Sequence, residues 1–357
     1  MSKVIVGMSG GVDSAVTAYL LKEKGYDVAG VTLRTWISDD GEDSRCCEID
    51  DARRSASRIG IPYHTFNCLS EFNKEVTEPF INDYIHGLTP NPCILCNRYV
   101  KWEKMLNIAK IMKAEYIATG HYSSVIKLDN GRYTVKKAKH EEKDQTYMLY
   151  RLTQEQLKYT LMPLGELSKA EVRDIAASVG LPVADKEDSQ EICFITDGNY
   201  ADYIEKNASD KIPDKGYFVD EDGNILGIHK GIIHYTVGQR KGLGLPLGYP
   251  AYVKKICADT NKVIIGREES LYSKEIILTD PAFMSIPDIK DVKSIYCMVR
   301  IRYHHKEQAA LVEEAGNNRL RVLFEEPVRG AAPGQSSVFY DKDGCVIGGG
   351  IISEVIY

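Results

Sequence analysis

Short apolar runs alternate with amphipathic stretches through the first two hundred residues of the chain. Four of these runs predict strands, at residues 3–8, 27–33, 63–66 and 116–119. Apolar positions at helical spacing predict helices over residues 13–24, 48–59 and 94–113. A capping box formed by Ser168 and Glu171 opens a further helix. This order predicts an α/β fold with a doubly wound parallel sheet and helices on both of its faces.

The pattern changes at about Pro213, where short alternating strands are separated by Gly, Pro and Asp. The predicted strands lie at residues 216–219, 225–228, 252–257, 263–265, 275–279, 296–303, 309–312, 320–324, 336–340 and 346–355. Such closely spaced strands predict small barrels or sandwiches. We therefore expect an α/β domain at residues 1–205, a small β-rich central domain at 206–270 and a C-terminal β-barrel at 271–357.

Composition and cysteine content narrow the class of protein. The 357 residues are 43% apolar, and 45 Lys and Arg against 51 Asp and Glu leave a net charge of -6. No apolar run approaches the roughly 20 residues that span a bilayer, and the first residues lack the pattern of a signal peptide. Nine cysteines, an odd number, disfavour a disulfide framework. We expect a cytoplasmic protein with free thiols and no membrane segment.

The net charge hides two stretches without acidic residues. Residues 224–257 contain no Asp or Glu, and their glycine-rich part at 238–250 predicts a flexible basic loop that follows a phosphate backbone. Residues 293–305 also lack acids, and Arg300 and Arg302 are predicted to share one face of a strand, with His304 continuing it. The aromatic side chains expected to stack on exposed bases are Tyr235, Tyr249 and Tyr303.

A glycine-rich turn follows the first predicted strand. It reads Gly7, Met8, Ser9, Gly10, Gly11, Val12, Asp13 and Ser14 and leads directly into a helix. Glycines allow an anion to approach the backbone, and a helix N-terminus offers unpaired N–H groups. Asp13 is expected to cap the helix or to hold Mg²⁺. The turn lacks the lysine of a Walker A loop.

Two cysteine sites suggest a nucleophile. Cys93 and Cys96 form a Cys-x-x-Cys pair at the start of the long predicted helix, and Cys96 is expected in its first turn, where the helix dipole favours a thiolate. Such a pair is also compatible with half a zinc site, a redox pair or a buried helix start. Cys193 is predicted to lie on an apolar strand that follows a highly charged segment.

The glycine-rich turn resembles the pyrophosphate loop (PP-loop) of the ATP pyrophosphatase superfamily. Together with Thr-Pro-Asn-Pro-Cys-Ile-Leu-Cys-Asn at 89–97 and Asp-Ser-Gln-Glu-Ile-Cys-Phe-Ile at 188–195, the chain resembles the bacterial tRNA-specific 2-thiouridylases. The likeness extends over essentially the whole chain through residues 119–122, 143–147, 234–244, 302–305, 332–335 and 346–352.

The resemblance implies a reaction and a set of residues. The family adenylates O2 of a wobble uridine in tRNA with ATP and replaces that oxygen by sulfur. Cys193 would carry a persulfide supplied by a sulfur donor, a cysteine desulfurase or a relay protein, and Cys96 would be the partner thiol that later closes a disulfide. The PP-loop, with Leu33 and Gly120 on the adenosine side, would hold ATP. The residues that would contact the target base or the tRNA are Asn91, Pro92, Cys93, His121, Lys143, Asp144, Gln145, Arg302, Tyr303 and Gln335.

The chain departs from the family pattern at several positions. Cys93 stands where many members have an Asp that is a candidate acid or base, and Leu88 stands where Arg is frequent. One alternative is therefore that Cys93, Cys96 and Cys193 ligate an iron–sulfur cluster. The adjacent Cys46 and Cys47 are interpreted as structural or incidental. Two further alternatives are a PP-loop enzyme that activates a carbonyl for an amine, and a non-catalytic RNA-binding or sulfur-carrier protein.

Overall fold

The computed structural model describes residues 1–36, 49–187, 192–195 and 198–357. Cys46 and Cys47 lie outside the described residues. The chain forms two compact units. Unit 1 comprises Met1–Val76, Cys93–Gly198 and Asp343–Ile347, and unit 2 comprises Thr77–Pro92, Asn199–Lys342 and Gly348–Tyr357. Apart from Asp343–Ile347, unit 2 therefore contains both predicted β-rich regions. The three predicted domain boundaries stay a prediction.

A five-stranded parallel sheet forms the centre of unit 1, with the strand order β3-β2-β1-β4-β7. Its strands are β1 (Lys3–Gly7), β2 (Asp27–Arg34), β3 (Tyr63–Asn67), β4 (Tyr116–Ala118) and β7 (Thr160–Leu161). The four strands predicted from the first half of the chain are confirmed. The fifth has only two residues, too few for an apolar pattern to indicate it.

Helices cover the sheet of unit 1. They are α1 (Val12–Glu23), α2 (Ile49–Ile59), α3 (Leu69–Phe72), α5 (Pro92–Leu95), α6 (Trp102–Ile111), α7 (Gln154–Lys158) and α8 (Lys169–Ser178). Val4 and Val6 of β1 belong to the apolar core that includes side chains of α1, α2 and α8. Gly7 instead faces Met105 of α6, because successive residues of a strand point to opposite faces. Both faces are thus covered, as the predicted doubly wound fold requires.

The long predicted helix at residues 94–113 is a helical run of three parts. α5 passes into a π-helical stretch at Cys96–Lys101, which continues into α6. The run begins at Pro92, a residue suited to the first helical position because its missing N–H would have no partner there.

Unit 1 also contains a hairpin that the sequence pattern did not indicate. Its strands are β5 (Ser123–Lys127) and β6 (Tyr133–Lys137). Residues close to the other end of the chain join it: Lys136 forms a β-bridge with Cys345, and the Thr134 hydroxyl donates to the carbonyl of Val346 at 2.6 Å. The segment Asp343–Ile347 is thereby part of unit 1.

Unit 2 contains two helices, α4 (Glu78–Ile85) and α9 (Tyr200–Ala208), and a four-stranded sheet of order β10-β11-β8-β9. The strands are β8 (Gly216–Val219), β9 (Ile225–His229), β10 (Tyr252–Cys257) and β11 (Lys262–Gly266). Phe218, Val253 and Val263 are buried in a separate apolar core with Tyr235. The predicted strands of the central region are confirmed within two residues at each end.

A closed six-stranded barrel completes unit 2, with the strand order β12-β15-β14-β13-β16-β17. Its strands are β12 (Tyr272–Phe283), β13 (Ser294–Arg300), β14 (Gln308–Glu314), β15 (Leu320–Arg329), β16 (Ser336–Tyr340) and β17 (Val346–Ile356). The predicted C-terminal barrel is confirmed. One strand is shorter than predicted, because β13 ends at Arg300, and Arg302, Tyr303 and His304 lie in the turns that follow. The prediction that Arg300, Arg302 and His304 share one face of a strand is therefore wrong.

The part of the chain that the structure describes contains no helix with the length and apolar character needed to cross a membrane.

The predicted capping box at the start of α8 is present and makes a testable contribution to stability. The Ser168 hydroxyl accepts from the backbone N–H of Glu171 at 3.2 Å, and the Glu171 carboxylate accepts from the backbone N–H of Ser168 at 2.7 Å. We expect Ser168→Ala to lower the free energy of unfolding by about 1 kcal/mol, measured by urea denaturation. Ser178→Ala, at the other end of the helix, is the control and should change it by less than about 0.5 kcal/mol. Equal losses in both variants would contradict this role of the cap.

Candidate active site

The predicted ATP-binding residues converge on one edge of the parallel sheet. β1, β2 and β4 run in the same direction, so their carboxyl ends meet at that edge. The PP-loop (residues 7–14) follows β1, Leu33 lies at the end of β2, and Gly120 follows β4. The strand order changes direction between β1 and β4, which is where open α/β sheets bind their ligands.

Hydrogen bonds within the PP-loop brace its backbone. The Ser14 hydroxyl accepts from the Ser9 N–H at 3.1 Å and donates to the Gly11 carbonyl at 3.0 Å. Gly10 has a φ of +79°, a left-handed conformation that favours glycine. Gly11 is the N-cap residue of α1, and it has no side chain that could cap the helix. The backbone N–H groups of the first turn are thus not occupied by a capping side chain, which leaves them available to an anion.

Gly120 packs directly against this loop. A Cβ atom at Gly120 would lie 2.8 Å from both the Asp13 carbonyl carbon and the Ser14 backbone nitrogen. Neither backbone atom can move without displacing the first turn of α1. A glycine is therefore required at residue 120, and it ties the end of β4 to the PP-loop.

The Asp13 carboxylate joins three parts of unit 1. It accepts from the Lys169 ammonium at 2.7 and 2.8 Å and from the Tyr122 hydroxyl at 2.7 Å. Lys169 is the first residue of α8, and Tyr122 follows Gly120 by two residues. Asp13 does not cap α1, so that part of its prediction is wrong. Lys169 and Tyr122 are site residues that sequence reasoning missed.

The two predicted cysteine nucleophiles both belong to unit 1. Cys96 is buried and is the fifth residue of the helical run that begins at Pro92, so Cys93, and not Cys96, lies in its first turn. Cys193 is half-buried in a turn in which the Ile195 N–H donates to the Ile192 carbonyl at 3.0 Å. It does not lie on the predicted strand. The buried ring of Phe194 beside it packs edge-on against the ring of Phe72, with 5.6 Å between the ring centroids.

The chemical state of the cysteines bears on two further predictions. The seven cysteines in the described ranges are all thiols. The Cys96–Cys193 disulfide that the resemblance implies would form only after sulfur transfer, and it stays a prediction. Within the described ranges, no three His, Cys, Asp or Glu side chains come together as a set that could hold a metal ion. Cys93, Cys96 and Cys193 are all described, and the iron–sulfur alternative is therefore not favoured.

The predicted tRNA-contacting residues of unit 1 have internal partners. The Asp144 carboxylate is buried and accepts from the Thr146 hydroxyl at 2.8 Å, and the Gln145 side chain accepts from the Tyr122 N–H at 2.9 Å. Lys143 lies half-buried in the 3₁₀ turn Glu141–Lys143. Asp144 and Gln145 thus shape the loop, and a direct contact of either with RNA stays a prediction.

His121 is held as a neutral ring. Its Nδ1 lies 3.0 Å from the Thr119 hydroxyl. Its ring packs against that of Trp102, with 5.4 Å between the ring centroids. Burial, with a smaller contribution from the positive charge of Lys101, lowers the pKa of His121 to about 3. At neutral pH this side chain can offer a substrate hydrogen bonds and ring stacking, but not a positive charge.

The predicted tRNA-contacting residues of unit 2 are also anchored. The Gln335 amide donates to the Thr89 carbonyl at 2.7 Å, next to the segment that leads to Asn91 and Pro92. The Arg302 guanidinium donates to the Val237 carbonyl at 3.0 Å and to that of Gly330 at 2.5 Å. Tyr303 is half-buried in the turn beside it.

The predicted basic surface is smaller than the sequence suggested. Arg300 forms a largely buried ion pair with Glu307 at 2.8 Å, and Lys254 pairs with Glu221. Tyr235 is buried, so the prediction that it stacks on bases is wrong. Arg240 and Lys241 are exposed, and no ion pair is found for them within the described residues.

The basic loop at 238–250 is folded onto the central sheet of unit 2. Leu243 is buried in the core of that sheet, and Leu245 and Leu247 pack against it. Four of its glycines have positive φ angles, from 68° to 88°, which let the chain turn between these contacts. The loop lines an open groove of about 760 Å³ that includes Arg240 and Tyr249.

Three family models match consecutive parts of the chain. They are described as a tRNA methyl transferase HUP domain over residues 2–197, a tRNA methyl transferase PRC-barrel domain over 201–267 and an aminomethyltransferase beta-barrel domain over 273–352. Curated relatives match over the whole length. The tRNA-specific 2-thiouridylases MnmA of Lachnoclostridium phytofermentans, Acetivibrio thermocellus and Clostridium perfringens are 50%, 51% and 47% identical. The matches cover 98–99% of this chain and 99% of each relative.

The chain belongs to the tRNA-specific 2-thiouridylase family. The resemblance found in the motifs is thereby confirmed. Membership in the thiouridylase family rests on the identity to these relatives over the full length of the chain. The descriptions of the three family models instead refer to methyl transfer or aminomethyl transfer. A solved U34-tRNA thiolase, NcsA from Methanococcus maripaludis, is 21% identical over 59% of this chain and 67% of its own, with a TM-score of 0.37. At that distance its [4Fe-4S] cluster implies nothing for the cysteines of this thiouridylase.

The lowered pKa of His121 predicts a specific pH dependence. Between its folded pKa of about 3 and its ordinary value of 6.5, the unfolded chain binds a proton at this residue and the folded chain does not. His121 therefore contributes a rise in stability as the pH increases through that range. Its NMR ring resonance should not shift between about pH 5 and about pH 8.

His121→Gln should remove this share of the pH dependence, measured by urea unfolding at several pH values. A His121 resonance that titrates near 6.5 would contradict the neutral ring.

Proposed function

We propose that this chain is an ATP-dependent tRNA 2-thiouridylase that replaces O2 of the wobble uridine by sulfur. The observation that carries the proposal is its 50% identity over the whole length of a curated 2-thiouridylase. The PP-loop at the carboxyl edge of the sheet, with two thiols in the same unit, supports it. We further propose that the protein is cytoplasmic.

The first chemical step activates the base. A uracil carbonyl is amide-like and resists attack by a thiol. O2 of the uridine attacks the α-phosphorus of ATP, pyrophosphate leaves, and the oxygen becomes part of an AMP leaving group. Residues 7–14 would bind the pyrophosphate part of ATP through backbone N–H groups, and Leu33 and Gly120 would flank the adenosine. Mg²⁺ would enter with the phosphates. Asp13, whose carboxylate is bonded to Lys169 and Tyr122, would have to exchange the Lys169 ammonium to serve as its ligand.

The second step transfers sulfur. A sulfur donor, such as a cysteine desulfurase or a persulfide relay protein, would load Cys193 as a persulfide. The terminal sulfur attacks C2 of the base, and AMP leaves with the oxygen. The Cys96 thiolate then attacks the Cys193 sulfur, which forms the Cys96–Cys193 disulfide and releases the electron pair to the thiocarbonyl sulfur. If Cys96 attacks the persulfide first, hydrosulfide is released and attacks C2, and the same disulfide results. An external thiol then reduces it.

The remaining residues would recognise the tRNA. The target base must leave its stack before O2 can be reached. We propose that Asn91, Pro92 and Cys93 contact the flipped base. The residues proposed to hold the surrounding RNA are His121, Lys143, Asp144, Gln145, Arg302, Tyr303 and Gln335.

Thiolation in vitro tests the reaction. With unmodified tRNA, ATP, Mg²⁺ and a persulfide source, we expect nucleoside mass spectrometry to detect 2-thiouridine. Cys193→Ser and Cys96→Ser should each lower its yield at least 100-fold, because neither sulfur transfer nor cleavage of the S–S bond can proceed without its thiol. Cys257→Ser, which changes a half-buried thiol of unit 2, is the control and should retain wild-type yield.

Several outcomes would contradict the proposal. Absence of 2-thiouridine with the folded wild-type protein would overturn it. Full 2-thiouridine yield with Cys193→Ser would exclude Cys193 as the sulfur carrier. Conversion of ATP to AMP by the wild type without 2-thiouridine would instead favour a PP-loop enzyme that transfers an amine. Cys93→Asp, which restores the residue frequent in the family, should remain active if Cys93 occupies the position of that acid.

Arg240 and Lys241 give a separate prediction on RNA binding. The double variant Arg240→Gln/Lys241→Gln should bind tRNA more weakly, and the slope of log K against log salt should fall by about 2, since each lost phosphate contact removes about 0.9 from it. The control is Lys215→Gln/Lys262→Gln, which removes two exposed charges outside the acid-free stretch. Equal slopes for the two double variants would show that loop 238–250 does not bind the RNA backbone.

A further inference from the structure

The PP-loop lacks the lysine that phosphate-binding loops of the Walker A type use to contact the phosphates of a nucleotide. In this chain, lysines from distant parts of the sequence reach the loop. Lys169 is bonded to both oxygens of the Asp13 carboxylate, so its position is set by that residue. Lys186 approaches the glycines of the loop itself.

The Lys186 ammonium lies between the loop and α2. It donates to the Gly10 carbonyl at 3.3 Å and to the Asp51 carboxylate at 2.6 Å. Its side chain is 28% exposed, and burial lowers the pKa of Lys186 from its ordinary value. A positive charge is therefore held beside the backbone of the PP-loop by a lysine that follows Gly10 by 176 residues in the sequence.

The environment of Asp51 allows this ammonium to change partner. Asp51 also pairs with Arg54 on the next turn of α2. If Lys186 moves to another anion, the Asp51 charge remains paired. A triphosphate carries several negative charges and Asp51 carries one, so Coulomb attraction favours the move once a nucleotide is present.

We propose that Lys186 contacts the phosphates of ATP and supplies the positive charge that the PP-loop itself lacks. In the absence of nucleotide, Asp51 holds the ammonium next to Gly10. When ATP binds, Lys186 exchanges the Asp51 carboxylate for phosphate oxygens. This assignment rests on the proposed function, because it requires ATP at the PP-loop.

Nucleotide binding to the full-length protein separates this role from a structural one. Lys186→Met keeps the apolar stem and removes the charge. By isothermal titration calorimetry we expect it to raise the Kd for Mg-ATP at least tenfold and to leave the Kd for adenosine, which has no phosphates, within twofold. Lys186→Arg, which restores the positive charge, should recover most of the affinity for ATP.

Asp51→Asn tests the alternative that Lys186 serves only as an ion-pair partner. It breaks the same ion pair but leaves the ammonium available, so the Kd for Mg-ATP should stay unchanged or fall. The matched control is Lys22→Met, since the Lys22 ammonium also donates to backbone carbonyls, those of Ile59 and Gly60, at the opposite end of α1. It should bind ATP as the wild type does.

Two results would overturn the assignment alone. One is equal weakening of ATP and adenosine binding by Lys186→Met, and the other is equal weakening of ATP binding by Lys186→Met and Asp51→Asn. If the wild-type protein does not bind ATP, the proposed function fails and this assignment fails with it.

Discussion

Parallel pairing of β1 with both β2 and β4 is the constraint on which the site of unit 1 depends. It sends three separate chain segments to the same edge of the sheet, and only there can one nucleotide contact all of them. The close approach of Gly120 to the backbone of Asp13 and Ser14 then sets the distance between the end of β4 and the start of α1. The Asp13 carboxylate adds α8 through Lys169. The predicted phosphate site therefore depends on the strand topology, on the absence of a side chain at Gly120 and on the Asp13 carboxylate.

The net charge of the whole chain does not show where its positive charges lie in the structure. The net charge of -6 is small, and the two acid-free stretches suggested a much larger basic surface. The structure places those basic residues in different environments. Arg300 and Lys254 are paired with acids from other parts of the fold, whereas Arg240 and Lys241 are exposed on the loop. Sequence distance from an acid is a poor guide to spatial distance from one.

The sequence predicted the elements whose signals are local. The strands Gly216–Val219, Tyr252–Cys257 and Ser336–Tyr340 have the predicted bounds, because turn-forming residues lie close to both of their ends. The two-residue strand Thr160–Leu161 has no such signal and exists only because β4 offers it an edge. Around Cys193, apolar residues suggested a strand, but Phe194 is buried by packing against a ring 122 residues earlier in the chain. The apolar residues there indicate a buried segment and not an extended strand.

The same reasoning explains which site residues could be found. The PP-loop and the cysteines are contiguous motifs with recognisable chemistry. Lys169 and Lys186 are ordinary lysines in charged segments, and their meaning comes from partners 156 and 135 residues away, at Asp13 and Asp51. A single sequence contains no local trace of such pairs.

The segment Asp343–Ile347 belongs to unit 1 although it is encoded almost 150 residues after the rest of that unit. Its backbone pairs with β6, and Thr134 donates its hydroxyl hydrogen to Val346. During synthesis from the N-terminus, unit 1 consequently cannot form all its native contacts until nearly the entire chain has left the ribosome. The order of folding of unit 1 thus depends on residues at the far end of the chain, and a fragment cut after the last helix of unit 1 would lack part of its own structure.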